Sequence, residues 1–173
     1  MKIVRVVAII AAAIVAQTTM AVMLGPRAAR LDLVLVAVVY LALTSGPTTG
    51  LLAGAAAGLI QDAMGHGIVG IGGLGKTVVG YLAGRIGAQF IVARPLPRFV
   101  VFFAATLVDA VVVIGLLWVL SVRQLGAALT DTLERAVGHA LIGIVAFQLI
   151  EAGPRAAERW RTNRARSRAV RLK

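Results

Sequence analysis

The stretch Gly70-Ile71-Gly72-Gly73-Leu74-Gly75-Lys76-Thr77 satisfies the P-loop pattern literally. That pattern cradles phosphates on backbone N–H groups, with its lysine reaching the terminal phosphates. Just upstream, Gly65-His66-Gly67-Ile68-Val69-Gly70 fits a dinucleotide fingerprint. Both patterns work only behind a buried strand of a parallel sheet. Here the glycines lie between two long apolar runs instead, and Asp109, which could pose as the magnesium-binding acid, sits inside a third. The glycines read as a loop over 65–73 that needs unusual backbone angles. Nothing else in the sequence has the order or spacing of a catalytic triad, a paired-carboxylate site or a metal cluster. With no cysteine there are also no disulfides, thiolate metal sites or cysteine nucleophiles. The expectation is a protein without enzymatic chemistry or cofactor.

The remaining polar residues carry information through their spacing. Gly46, Gly50, Gly54 and Gly58 recur every fourth residue, a ridge of small residues that drifts about 40° per step around a helix. Asp62 continues the row and so faces whatever packs on it. Packing within the same subunit is the expectation, with a partner protein or a second copy of the chain as the alternative. Further on, Lys76, Gly80, Gly84 and Gly87 share one helix face, while Arg85 points the opposite way. Ionisable groups within a membrane cost several kcal/mol unless paired or wetted. Asp62 and Lys76 flank the same loop and are expected to meet at the outer membrane edge. Arg85 and Asp109 each fall about 16–18 Å from that edge if their helices start level, which makes them the candidate intramembrane ion pair. A structural clamp is the reading for that pair, since a proton relay needs a chain of titratable groups and only His139 is at comparable depth.

These residues are positioned by a chain of 173 residues that is 60% hydrophobic and 14% charged, an integral membrane composition and an all-α one. At about 20 residues per span, at most about six fit. The apolar runs predict helices at about 3–24, 31–45, 48–63, 74–93, 99–121 and 133–152. The first is longer than the apolar core of a cleavable signal peptide. The second and third are separated at Thr44-Ser45-Gly46-Pro47, because proline lacks a donor and excludes the residue before it from helical space. Arg94-Pro95-Leu96-Pro97-Arg98 reads as a stiff basic turn. Residues 1–153 thus form one transmembrane domain.

The net charge of +11 suggests nucleic acid at first, yet eight bases against Glu158 place +7 of it in the tail 154–173. Arg155, Arg159, Trp160, Arg161 and Arg164 in that tail suit anionic lipid headgroups rather than nucleic acid. Positive residues favour the cytoplasmic side, so the tail fixes the C-terminus inside. Six spans then put Lys2, Arg5, Arg94 and Arg98 inside as well, whereas five would leave the N-terminal pair outside.

At Arg30-Leu31-Asp32, an apolar run with Tyr40, then Gly50, Gly54, Gly58-Leu59-Ile60-Gln61-Asp62, Gly70, Leu74 and Tyr81-Leu82, the order and spacing resemble the rod shape-determining protein MreD family. The resemblance is most specific over about residues 28–87. It implies a non-enzymatic subunit of the bacterial elongation complex in the cytoplasmic membrane, working with MreC, MreB, RodA and a class B penicillin-binding protein. It also implies that the glycine ridge and Asp62 are packing or partner-contact positions and that the basic tail is a cytoplasmic contact. The family's fold is thought similar to the substrate-binding subunits of energy-coupling-factor transporters, whose docking residues Ala8, Ala12 and Ala16 would imitate by spacing alone. The alternative function is therefore a vitamin or small-molecule transport subunit, which would need a polar, aromatic-lined pocket.

Overall fold

Backbone groups in lipid must be satisfied within their own segment, so apolar runs of this kind become helices. The computed structural model describes residues 2–24, 32–65, 68–89, 95–120 and 141–142, and every element among them is helical. In chain order these are α1 (Lys2–Leu24), α2 (Leu33–Ser45), α3 (Pro47–Met64), α4 (Ile71–Gln89) and α5 (Pro95–Val119). The stretches Ile3–Met23 and Phe99–Val119 are long and apolar enough to cross a membrane. Of the predicted last span at 133–152 only Leu141 and Ile142 are described; His139 and the tail residues Arg155, Arg159, Trp160, Arg161 and Arg164 lie outside the described residues.

Two boundaries differ from the sequence expectation. Helix α4 starts at Ile71 rather than 74, so Gly72 and Gly73 are helical instead of loop. Helix α5 starts at Pro95, which absorbs most of the predicted basic turn. Proline is at home there because the first helical turn leaves its N–H groups without intrahelical partners anyway.

Helix α2 has 13 residues and is about 20 Å long, short of a hydrocarbon core of about 30 Å. Nine consecutive residues, Val34 to Ala42, are buried. A helix apolar all round belongs in the centre of its bundle, and α2 is central. Val38, Val39 and Leu41 pack with Ala53 and Ala57 of α3, Val79 and Ala83 of α4, and Phe102 and Ala105 of α5. Lipid tails are as apolar as these side chains, so close packing rather than escape from water selects the arrangement. Asp32 caps the start of α2 by accepting from the Leu35 N–H at 2.9 Å. Gly46 ends it with φ +92°, a backbone angle that glycine adopts without steric cost, and Pro47 follows as the first residue of α3. The chain therefore folds back, bringing Ala42 against Gly50.

The contacts between helices fix their directions. Arg5 donates to the Tyr40 hydroxyl at 3.0 Å, and the Val34 N–H donates to Gln17 Oε1 at 3.2 Å, so α1 runs antiparallel to α2. Gly50 meets Gly80 and Gly58 meets Gly73, so α4 runs antiparallel to α3. The start of α4 lies beside Leu116 and the end of α4 beside Val101, making α5 antiparallel to α4. One end of the bundle thus collects Asp32, Asp62 and Lys76. The other collects Arg5, Arg85 and, by position in the first turn of α5, Arg98.

Candidate functional site

The glycine ridge is consumed inside the subunit. A Cβ on Gly50 would strike the Gly80 carbonyl oxygen, and one on Gly80 the Gly50 oxygen. A Cβ on Gly54 would meet the Lys76 backbone, and one on Gly58 would lie 2.6 Å from Gly73 Cα. At the far end of the same seam Gly84 lies against Pro47. Backbone thus packs on backbone along most of the α3–α4 contact, the geometry that small residues permit in membranes. These faces are not available to a partner protein or a second copy of the chain.

At the acidic end, each group of the P-loop pattern has an internal partner. The Asp62 carboxylate accepts from the backbone N–H groups of Gly70 at 2.9 Å and Gly73 at 3.0 Å. It occupies the place at the start of α4 where free N–H groups and the helix dipole would otherwise attract an outside anion. Gly70 supports this turn with φ +104°. Thr77 Oγ donates back to the Gly73 carbonyl at 2.6 Å. Lys76 is only 4% exposed and its Nζ lies 2.8 Å from Asp32 Oδ2. The motif therefore holds an anion after all, but the anion is the protein's own carboxylate.

This corrects one expected pairing: Lys76 bonds to Asp32, 44 residues upstream, rather than to Asp62. The second expected pair does not form either. Arg85 is exposed, and Asp109 sits against Gly75, close enough to interact electrostatically with Lys76, Asp32 and Asp62. Ten residues separate Gly75 from Arg85, about 15 Å along the axis. The expectation assumed level helix ends, whereas α5 extends ten residues beyond Asp109 and α4 only four beyond Gly75. Asp109 Oδ1 and Gln61 Oε1 are buried without a hydrogen-bond partner among the described residues. Sequence reasoning missed Tyr40 and Gln17 as interhelical contacts and Asp32 as the partner of Lys76. The available signal was that polar residues interrupting α1 must find partners.

Asp62→Ala should expose two N–H groups at the start of α4 and destabilise the fold by about 1–3 kcal/mol. Asp62→Asn, which keeps an acceptor but loses the charge, should cost less. Unfolding of both variants in detergent micelles checks the order, and equal losses would show that the hydrogen bonds carry nothing.

Among the described residues no group of His, Asp and Glu could hold a metal. The described residues line two grooves beside α4. One, of about 410 Å³, is lined by Leu59, Ile68, Leu74, Leu116 and Leu120, and the other, of about 210 Å³, lies between α4 and α5. Both are mainly apolar.

No curated protein and no solved structure matches the chain. The family model for the rod shape-determining protein MreD matches residues 1–148, most of the chain. The protein therefore belongs to the MreD family, bacterial membrane proteins of the MreB/MreC shape-determining system.

Proposed function

We propose that this protein is a non-catalytic membrane subunit of the rod-shape complex, coupling lateral peptidoglycan synthesis to the MreB/MreC system. MreC, MreB, RodA and a class B penicillin-binding protein are its partners on this reading. The family match over 1–148 carries it. The structure adds support of a particular kind: the residues with the most chemical potential, Asp62, Lys76 and Asp32, are engaged with one another or with the backbone. They hold the helices in register and leave no convergent set of polar groups for a substrate among the described residues. The largely apolar grooves also favour a scaffold over the transport alternative, which needs polar groups to orient its ligand.

The fold suits a multi-pass arrangement with the Arg5, Arg85 and Arg98 end in the cytoplasm and the Asp32 and Asp62 end outside, in keeping with the positive-inside bias. The energy-coupling-factor likeness belongs to the same reading of six helices with both termini inside. Depletion in the native bacterium tests the function. Rounded cells are expected, restored to rods by the full chain. Unchanged rods with impaired vitamin uptake would overturn the scaffold role in favour of transport.

A further inference from the structure

The groove between α4 and α5 combines two features that the packing of the bundle does not use. Its walls are Val79 and Ile86 of α4 and Val101, Ala105 and Val108 of α5, while Arg85 and Gln89 line it toward the end of α4. Arg85 is exposed and makes no ion pair or hydrogen bond with the described residues. It stands four residues, about 6 Å along the axis, before Gln89, the last residue of α4 that is described. A long arginine side chain at that depth reaches the membrane interface with its charged head while its stem stays in apolar surroundings. The antiparallel register set by Gly75 and Asp109 puts Arg85 level with the first turn of α5, where Arg98 stands. No acid of the described residues lies at this end of the bundle, since Asp32 and Asp62 are at the other and Asp109 is about 15 Å away along α4.

We propose that this groove is a binding site for one anionic phospholipid, with the phosphate held at Arg85 and an acyl chain lying along the aliphatic walls toward Val108. Charge complementarity selects the occupant. A partner helix would have to bring a carboxylate of its own to this level. A phospholipid carries its phosphate at the interface already, and its chain matches an aliphatic slot open to the bilayer. Basic residues on the same end of the bundle add to the attraction, each contributing about 1 kcal/mol near an anionic surface.

The test uses the full chain reconstituted alone in vesicles that contain either a phosphatidylglycerol or a phosphatidylcholine probe, each with a photoactivatable acyl chain. Labelled positions are mapped by peptide mass spectrometry. The expected result is that the phosphatidylglycerol probe labels the walls of the α4–α5 groove about fivefold more than the phosphatidylcholine probe. Arg85→Gln should bring the two probes level without lowering phosphatidylcholine labelling, and Arg85→Lys should keep most of the excess. The tail, Arg5 and Arg98 are intact in both variants, so an excess that persists in Arg85→Gln would assign the selectivity to those other bases and overturn the site. Equal labelling by the two probes in the unmodified chain would overturn it too. So would a groove that neither probe reaches, because protein then covers it.

Discussion

Gly54→Val should lower stability by about 3 kcal/mol, whereas Ala56→Val, two residues away on the same helix, should leave it within about 0.5 kcal/mol of the parent. Ala56 is exposed, so its added methyl groups enter open space. Gly54 faces the Lys76 carbonyl and the Thr77 nitrogen, and any Cβ there overlaps backbone atoms. Overpacking a core ordinarily costs about 1–3 kcal/mol because neighbouring side chains shift to make room. Here the obstacle is another helix, and relief requires α3 and α4 to separate along their whole shared seam. Separation would loosen Gly50 from Gly80 and Gly58 from Gly73, and would pull Asp62 from the N–H groups it caps. The upper end of that range, about 3 kcal/mol, is therefore expected, a large share of the roughly 5–15 kcal/mol that holds a typical domain. Unfolding in detergent micelles titrated with dodecyl sulfate measures it. Gly54→Val as stable as Ala56→Val would show that the seam is not close-packed in solution.

The same seam shows what was legible in the sequence. The four-residue glycine spacing and the Gly46-Pro47 break are local signals, and local rules suffice to place a ridge on one helix and a boundary beside it. The first turn of α4 was not legible. Glycine is about 1 kcal/mol worse than alanine in a helix, so Gly72 and Gly73 argue for a loop on propensity alone. They are helical because tertiary contacts override propensity. Gly58 packs on the Gly73 backbone, and the carboxylates of Asp62 and Asp109 lie where a Cβ on Gly72 and on Gly75 would stand. The charged pairs failed for a related reason. Depth counted from predicted helix ends places Arg85 beside Asp109 only if the start of α4 is level with the end of α5, and no local signal reports the offset between two helices. Asp32 was visible within the family-like block at Arg30-Leu31-Asp32, but its role needed the fold-back of α2 and α3 that brings it to Lys76.

Neutralising Lys76 should be more damaging than neutralising Asp32, and removing both should recover much of the loss. Lys76 is 4% exposed and bonded to Asp32 at 2.8 Å, while Asp62 and Asp109 also lie within its electrostatic reach. Breaking a buried pair from one side costs about 3–5 kcal/mol, because the remaining charge is stranded. Lys76→Met strands the most, since it removes the cation that Asp32 bonds and with which Asp62 and Asp109 interact. Asp62 keeps its two backbone donors, but Asp109 Oδ1 has no hydrogen bond among the described residues to fall back on. Asp32→Asn leaves Lys76 with two carboxylates nearby and an amide that still offers an oxygen to the Leu35 N–H. Its cost should fall at the lower end, about 3 kcal/mol. In the double variant the stranded charge at Asp32 is gone, and the pair should show a coupling energy of at least about 1 kcal/mol. Arg85→Gln, by contrast, touches an exposed group and should change stability by less than about 0.5 kcal/mol. A double-mutant cycle on unfolding in micelles decides the matter. Strict additivity of Lys76→Met and Asp32→Asn would mean that the 2.8 Å contact contributes nothing to holding α2 against α4, and that the acidic end is stabilised by Asp62 and the glycine seam alone.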